Sequence, residues 1–230
     1  MAVFPPLSSR VARDTPAQAY WGYEDIAIFL VLIAVYGAAI RLLNRSHFLP
    51  DWYLTRPPLY FQFLLPVAVA GTLCVILRLR YRALLLGPLG WTLASAKYLA
   101  LSLLAGAAMA FALTVPLHYW KQPTPLAPHI GSLPDVLLWV LLGPVVEETV
   151  FRGFLLPVIS RSMRAVGAVV ITAVFFALLH QPASQLHWAW FTLCGVAYGG
   201  IRVASGSTLA AAIMHASYNL TILLAPFAYR

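Results

Sequence analysis

Charge is what this sequence has least of. Only 10 % of its 230 residues are Asp, Glu, Lys or Arg, against about 25 % in ordinary soluble domains. Hydrophobic residues reach 61 %, where about 45–50 % is usual. A soluble chain of this size cannot cover its surface with so few charges, whereas a bilayer removes the requirement. Acids are scarcer than bases, 7 Asp and Glu against 15 Lys and Arg, for a net charge of +8. The bases sit mainly in short stretches between apolar runs. They therefore report topology and lipid headgroups, and no nucleic-acid partner is expected. Two cysteines, Cys74 and Cys194, exclude a disulfide framework and a CxxC metal motif. Both lie in apolar runs and read as packing residues. A GxSG serine motif and HExxH are absent. Asp135 is the only aspartate near a span interior, so a two-aspartate mechanism has no second partner. Residues 1–22 carry Arg10, Arg13 and Asp14, and no apolar run precedes Ala27, so no cleavable leader is expected.

What the chain does have is apolar length. Crossing a hydrocarbon core of about 30 Å takes roughly 20 apolar residues. Seven segments approach that: about 25–43, 59–78, 91–117, 133–157, 166–181, 187–204 and 207–227. The expected fold is all-α, a polytopic transmembrane helix bundle of about seven spans (six to eight). Its expected organisation is a cytoplasmic N-terminal segment over 1–24, N-terminal transmembrane helices over 25–132, and motif-bearing helices over 133–230, all in one membrane domain. The Pro-rich stretch 122–128 marks the boundary. Arg78, Arg80 and Arg82 make their loop cytoplasmic by the positive-inside rule. Alternation then puts Arg161, Arg164, Arg202 and the N-terminus inside, with Arg45 and Arg56 on the unexpected side.

The fourth segment carries Glu147, Glu148 and Arg152. Each charge costs about 2.5–3.5 kcal/mol at a helix centre, roughly 8–10 kcal/mol for three before any pairing. Glu148 and Arg152 are i and i+4 and can pair on one face. Glu147 is turned about 100° away and stays free to act as a base. The competing reading is a structural polar cluster that pins helices together. Phe176 and His180 share a face at the end of the fifth segment. His215 and Asn219 share one in the seventh. An Asn amide is a fixed pair of donors, suited to an oxyanion beside a histidine or to an interhelical hydrogen bond. Gly195 and Gly199 form a GxxxG that reads as close helix packing. Gly206 is expected to end a loop. His47, His118, His129 and His187 are assigned nothing.

Glu-Glu-x-x-x-Arg over 147–152, Phe-x-x-x-His over 176–180 and His-x-x-x-Asn over 215–219 follow one another on successive apolar segments. Together they resemble the CAAX protease and bacteriocin-processing family, also called the type II CAAX prenyl endopeptidase-like or ABI family. The stretch around Gly199 and 206–209 is similar too, and the resemblance covers roughly 133–222. It implies a glutamate-dependent intramembrane endopeptidase acting on a membrane-associated peptide or protein, prenylated or not. On that resemblance, Glu147 and His180 activate water, His215 and Asn219 hold the oxyanion, and Glu148, Arg152 and Phe176 orient the site. No metal is favoured. If zinc were present, Glu147, His180 and His215 would be its ligands. The expected location is a bacterial inner membrane with the N-terminus cytoplasmic.

A proton-coupled transporter shares the intramembrane Glu, His and Arg. It predicts a continuous polar path, where a peptidase predicts a closed pocket. A catalytically idle scaffold of the same family is the third reading. One tension lies in the segment ends. At about 1.5 Å per residue, Glu147 and His215 fall about 10 Å from the cytoplasmic boundary and His180 about 20 Å. Cooperation therefore requires tilt, a bend at Pro144 or different ends.

Overall fold

The computed structural model describes residues 21–45, 59–82, 84–119, 133–180 and 184–228, and no strand occurs among them. Seven helical stretches follow the seven apolar segments. They are α1 (Tyr23–Arg45), α2 (Leu59–Tyr81), α3 (Ala96–Tyr119), α4 (133–159), α5 (Ala165–Leu179), α6 (Gln185–Ser205) and α7 (Thr208–Ala228). Three are long and apolar enough to cross a membrane, over Tyr23–Leu43, Ala96–Pro116 and Thr208–Ala225. Ala165–Leu179 is apolar but shorter. The protein is thus an all-helical bundle with membrane-spanning helices. Residues 1–20, 46–58, 83, 120–132, 181–183 and 229–230 lie outside the described residues, and with them the Pro-rich stretch, His47, His129 and Arg56. The third helix starts later than expected, because residues 91–95 run without helix before Ala96.

Local chemistry sets the ends. Ser184 accepts from the His187 amide as the N-cap of α6. Gly206 is the left-handed C-cap of the same helix (φ 70°), a conformation only glycine adopts cheaply. It therefore closes a helix rather than a loop.

Helix α4 is not a uniform α-helix. Leu138–Leu142 and Thr149–Leu155 are π-helical, and Gly143–Glu148 between them is α-helical. Such wide turns are rare and concentrate at functional sites.

Packing leaves little room between partners. A Cβ on Gly106 of α3 would overlap the Met214 carbonyl of α7, and Ser217 donates to the Leu103 carbonyl (2.7 Å). Between α5 and α6, a Cβ on Gly195 would lie 2.8 Å from Ala173 Cα, and one on Gly199 2.9 Å from Val169. The GxxxG is therefore a helix-packing seam.

The helices alternate in direction. At one end, Tyr81 donates to Asp25 (2.6 Å) and Arg80 approaches Glu24 at 3.3 Å. Trp21 donates to the Phe154 carbonyl (3.1 Å), Tyr23 meets Ser162 (2.6 Å), and Ser207 and Thr208 donate to the Thr92 and Leu89 carbonyls. These contacts gather the starts of α1, α3, α5 and α7 with the finishes of α2, α4 and α6. Arg78, Arg80, Arg82, Arg161, Arg164 and Arg202 belong to that one end.

Candidate active site

Helix α4 presents its two glutamates to different partners. Glu148 is fully buried and paired with equally buried Arg152, Nε to Oε2 at 3.2 Å and Nη1 to Oε1 at 3.2 Å. Arg152 also donates Nη2 to the Gly195 carbonyl (2.8 Å) and lies over the Phe176 ring at 4.9 Å. A fully desolvated guanidinium is tolerable only with such partners. The absence of a side chain at Gly195 thus lets α6 approach α5 and place its carbonyl against Arg152.

Glu147, turned away from that pair, has its Oε2 at 3.6 Å from His180 Nε2, and both side chains stay about a quarter exposed. His180 Nδ1 lies 2.7 Å from the Phe176 carbonyl. A carbonyl only accepts, so Nδ1 carries a hydrogen, and Nε2 is the ring nitrogen that faces Glu147. Glu147 Oε2 has no hydrogen-bond partner among the described residues. The 10 Å offset expected between these residues is absent. The α-helical stretch between the two π turns carries Glu147 to the C-terminal cap of α5, where His180 sits.

His215 on α7 meets Glu148, Nδ1 to Oε1 at 3.0 Å. The carboxylate therefore receives both Arg152 and His215, and His215 Nε2 is left uncommitted. Asn219, one turn on, donates Nδ2 to the Trp139 carbonyl in the first π turn (2.9 Å). Phe176 is edge-on to His215 (5.9 Å) and tilted over His180 (4.3 Å), so it contacts both rings. Glu147, Phe176, His180, His215 and Asn219 line one cavity of about 150 Å³ with Trp139, Gly143, Phe191, Cys194, Tyr198 and Tyr218. From Glu147 to Trp139 and from His215 to Asn219 that lining steps toward the end opposite the arginines. Glu148, Arg152 and Phe154, toward the arginine side, are fully buried. Among the described residues no three His, Cys, Asp or Glu side chains converge as a metal-binding group. His215 Nδ1 is committed to Glu148.

The sequence matches a family model described as type II CAAX prenyl endopeptidase Rce1-like, over residues 129–221. Residues 129–221 are therefore similar to that family. No curated protein and no solved structure gives a match. The Rce1-like segment spans less than half of the chain, yet it contains all three motifs and every cavity-lining residue. It brings together all the residues singled out in the sequence: Glu147 with His180, and Glu148 with Arg152 and His215. Asn219 and Phe176 line the same cavity. Sequence reasoning missed the Gly195 and Trp139 carbonyls, Tyr198 and the Trp190–Tyr218 hydrogen bond (2.8 Å). Backbone acceptors leave no trace in residue identity. Tyr198, four residues from Cys194 and one before Gly199, carried no motif.

Proposed function

We propose that the protein is an intramembrane endopeptidase that hydrolyses a peptide bond of a membrane-associated peptide or protein. One observation carries the reading. A carboxylate oxygen without a hydrogen-bond partner among the described residues, Glu147 Oε2, faces His180 Nε2 at 3.6 Å, and both residues line a cavity with room for water.

A water there donates one hydrogen to Glu147 and one to His180 Nε2, which leaves its oxygen lone pair for the peptide carbonyl carbon. As the C–O bond forms, Glu147 takes the proton and the carbonyl oxygen becomes an oxyanion. A hydrogen on His215 Nε2, with Nδ1 held by Glu148, and the second Nδ2 hydrogen of Asn219 stabilise that charge. Collapse breaks the C–N bond, and Glu147 returns the proton to the amine. The products are an amine and a carboxylic acid, which releases its proton to water as it ionises, and no step needs a metal.

The full burial of Glu148, Arg152 and Phe154 toward the arginine end favours a peptidase over a transporter, which needs a polar path through. The arginine-rich end is assigned to the cytoplasm by the positive-inside rule, with 1–24 cytoplasmic, and 25–132 and 133–230 forming one membrane domain of about seven spans. A bacterial inner membrane is the assigned location. Substrates with and without a prenyl group remain in the substrate class.

The test is hydrolysis in detergent by wild type and Glu147→Gln, on a peptide library that includes farnesylated C-terminal peptides, read by mass spectrometry. Cleavage by wild type that vanishes in the variant supports the reading. Equal cleavage by both ends the assignment of Glu147, and no cleavage by either ends the peptidase reading in favour of transport or scaffolding.

A further inference from the structure

Tyr198 on α6 has no place in the mechanism above, yet it occupies the centre of the site. It is 1 % exposed. Its ring stacks on His215, centroids 4.6 Å apart and planes within 15°. Arg152 lies 5.4 Å above the same ring, and the Phe176 ring meets it edge-on at 6.0 Å. These contacts fix the ring. Its hydroxyl, by contrast, is buried with no oxygen or nitrogen partner among the described residues, and the polar group beside it is the Cys194 thiol, a weak acceptor.

Buried hydroxyls are nearly always hydrogen-bonded, and an orphan in a native structure calls for an explanation. A phenol prefers to donate, and burying one unpaired costs about 1–3 kcal/mol. Tyr198 lines the cavity that also holds Glu147 Oε2, an orphaned acceptor. The cavity thus has one unsatisfied donor and one unsatisfied acceptor on its wall. Water answers the acceptor. A peptide substrate brings a strong acceptor of its own, the carbonyl oxygen of the bond to be cut.

We infer that Tyr198 is a further substrate-binding residue, whose hydroxyl donates to the peptide carbonyl oxygen and to the oxyanion it becomes. The inference rests on the peptidase reading. Asn219 then need not act alone with His215, although one of its amide hydrogens is spent on Trp139. The same ring that carries the hydroxyl packs against His215, so the two donors are held in fixed relation.

The test compares Tyr198→Phe, Tyr198→Ala, Glu147→Gln and wild type on one cleaved peptide, with kcat, KM and Tm measured in detergent. Tyr198→Phe keeps every ring contact and removes one oxygen. The expected result is a fall in kcat of about 10- to 100-fold, with KM changed less than about threefold and Tm kept. Tyr198→Ala loses the ring as well, and its Tm falls. Wild-type kcat in Tyr198→Phe beside an inactive Glu147→Gln overturns the role of Tyr198 and leaves the peptidase reading standing. A Tyr198→Phe loss confined to KM overturns the oxyanion contact. Full activity of Glu147→Gln, or no hydrolysis by wild type, overturns the peptidase reading and this inference with it.

Discussion

Glu147 and His180 meet at 3.6 Å although they stand on helices that run in opposite directions. Neither residue makes a close partner of the other by sequence spacing. The meeting depends on α4 being α-helical over Gly143–Glu148 and π-helical on either side, and on α5 stopping at Leu179 so that His180 caps it. Both side chains keep a quarter of their surface open, as a pair that handles water must.

Glu147→Gln is expected to lower peptide hydrolysis by about 10²- to 10⁴-fold, the usual worth of a positioned general base. Its partial exposure puts the stability change within about 0.5 kcal/mol. Parallel activity and thermal-unfolding measurements in detergent check both halves; a large Tm loss would move Glu147 from chemistry to structure.

Arg152→Met leaves the fully buried Glu148 carboxylate with His215 as its remaining partner. Removing one partner of a buried pair costs about 3–5 kcal/mol, so Tm should fall sharply. The double variant Glu148→Gln/Arg152→Met should regain part of that loss while staying inactive, because His215 no longer has its carboxylate. Unfolding scans of the two variants give the answer, and equal Tm values would contradict the buried-pair account.

Gly195 and Gly200 form an internal control. A Cβ at Gly195 would press on Ala173, whereas nothing lies within 4 Å of one at Gly200. Gly195→Ala should cost about 1–3 kcal/mol by overpacking and weaken activity through the displaced carbonyl that holds Arg152. Gly200→Ala should behave as wild type or gain slightly from helix propensity. Matched melts and rates distinguish the two.

Hydrolysis is expected to survive exhaustive dialysis against EDTA and 1,10-phenanthroline, and added zinc should not raise the rate. Loss on chelation with recovery on zinc would give Glu147, His180 and His215 the ligand role instead.

Topology has its own test. In a chain with Cys74 and Cys194 replaced by alanine, Ser162→Cys should react with a membrane-impermeant maleimide only in inside-out vesicles. Ser184→Cys should react only in right-side-out ones. The reverse pattern would invert the assigned orientation.

The bundle was legible because each helix is a long apolar run, and every one of the seven segments is helical. The division of labour between Glu147 and Glu148 was legible for the same kind of reason, since adjacent residues on a helix point about 100° apart. The i,i+4 pairing of Glu148 with Arg152 followed from spacing alone. What was not legible came from tertiary geometry. An ideal rise per residue put Glu147 and His180 at different depths, and π turns and the early stop of α5 have no signature in composition. His215 read as a partner of Asn219, but its hydrogen bond goes to Glu148, 67 residues away, and Asn219 turns to Trp139.

The ion pairs of this bundle fall on two sides of a dielectric divide. Arg80 and Glu24 are exposed and fasten α1 to α2, within reach of mobile ions whose screening length is about 8 Å at physiological salt. Glu148 and Arg152 have no exposed surface at all, so bulk counterions do not enter between them. Ionic strength therefore acts on the attachment of α1 and leaves the charges around His215 as they are. A change in salt loosens the rim of the molecule without retuning its centre.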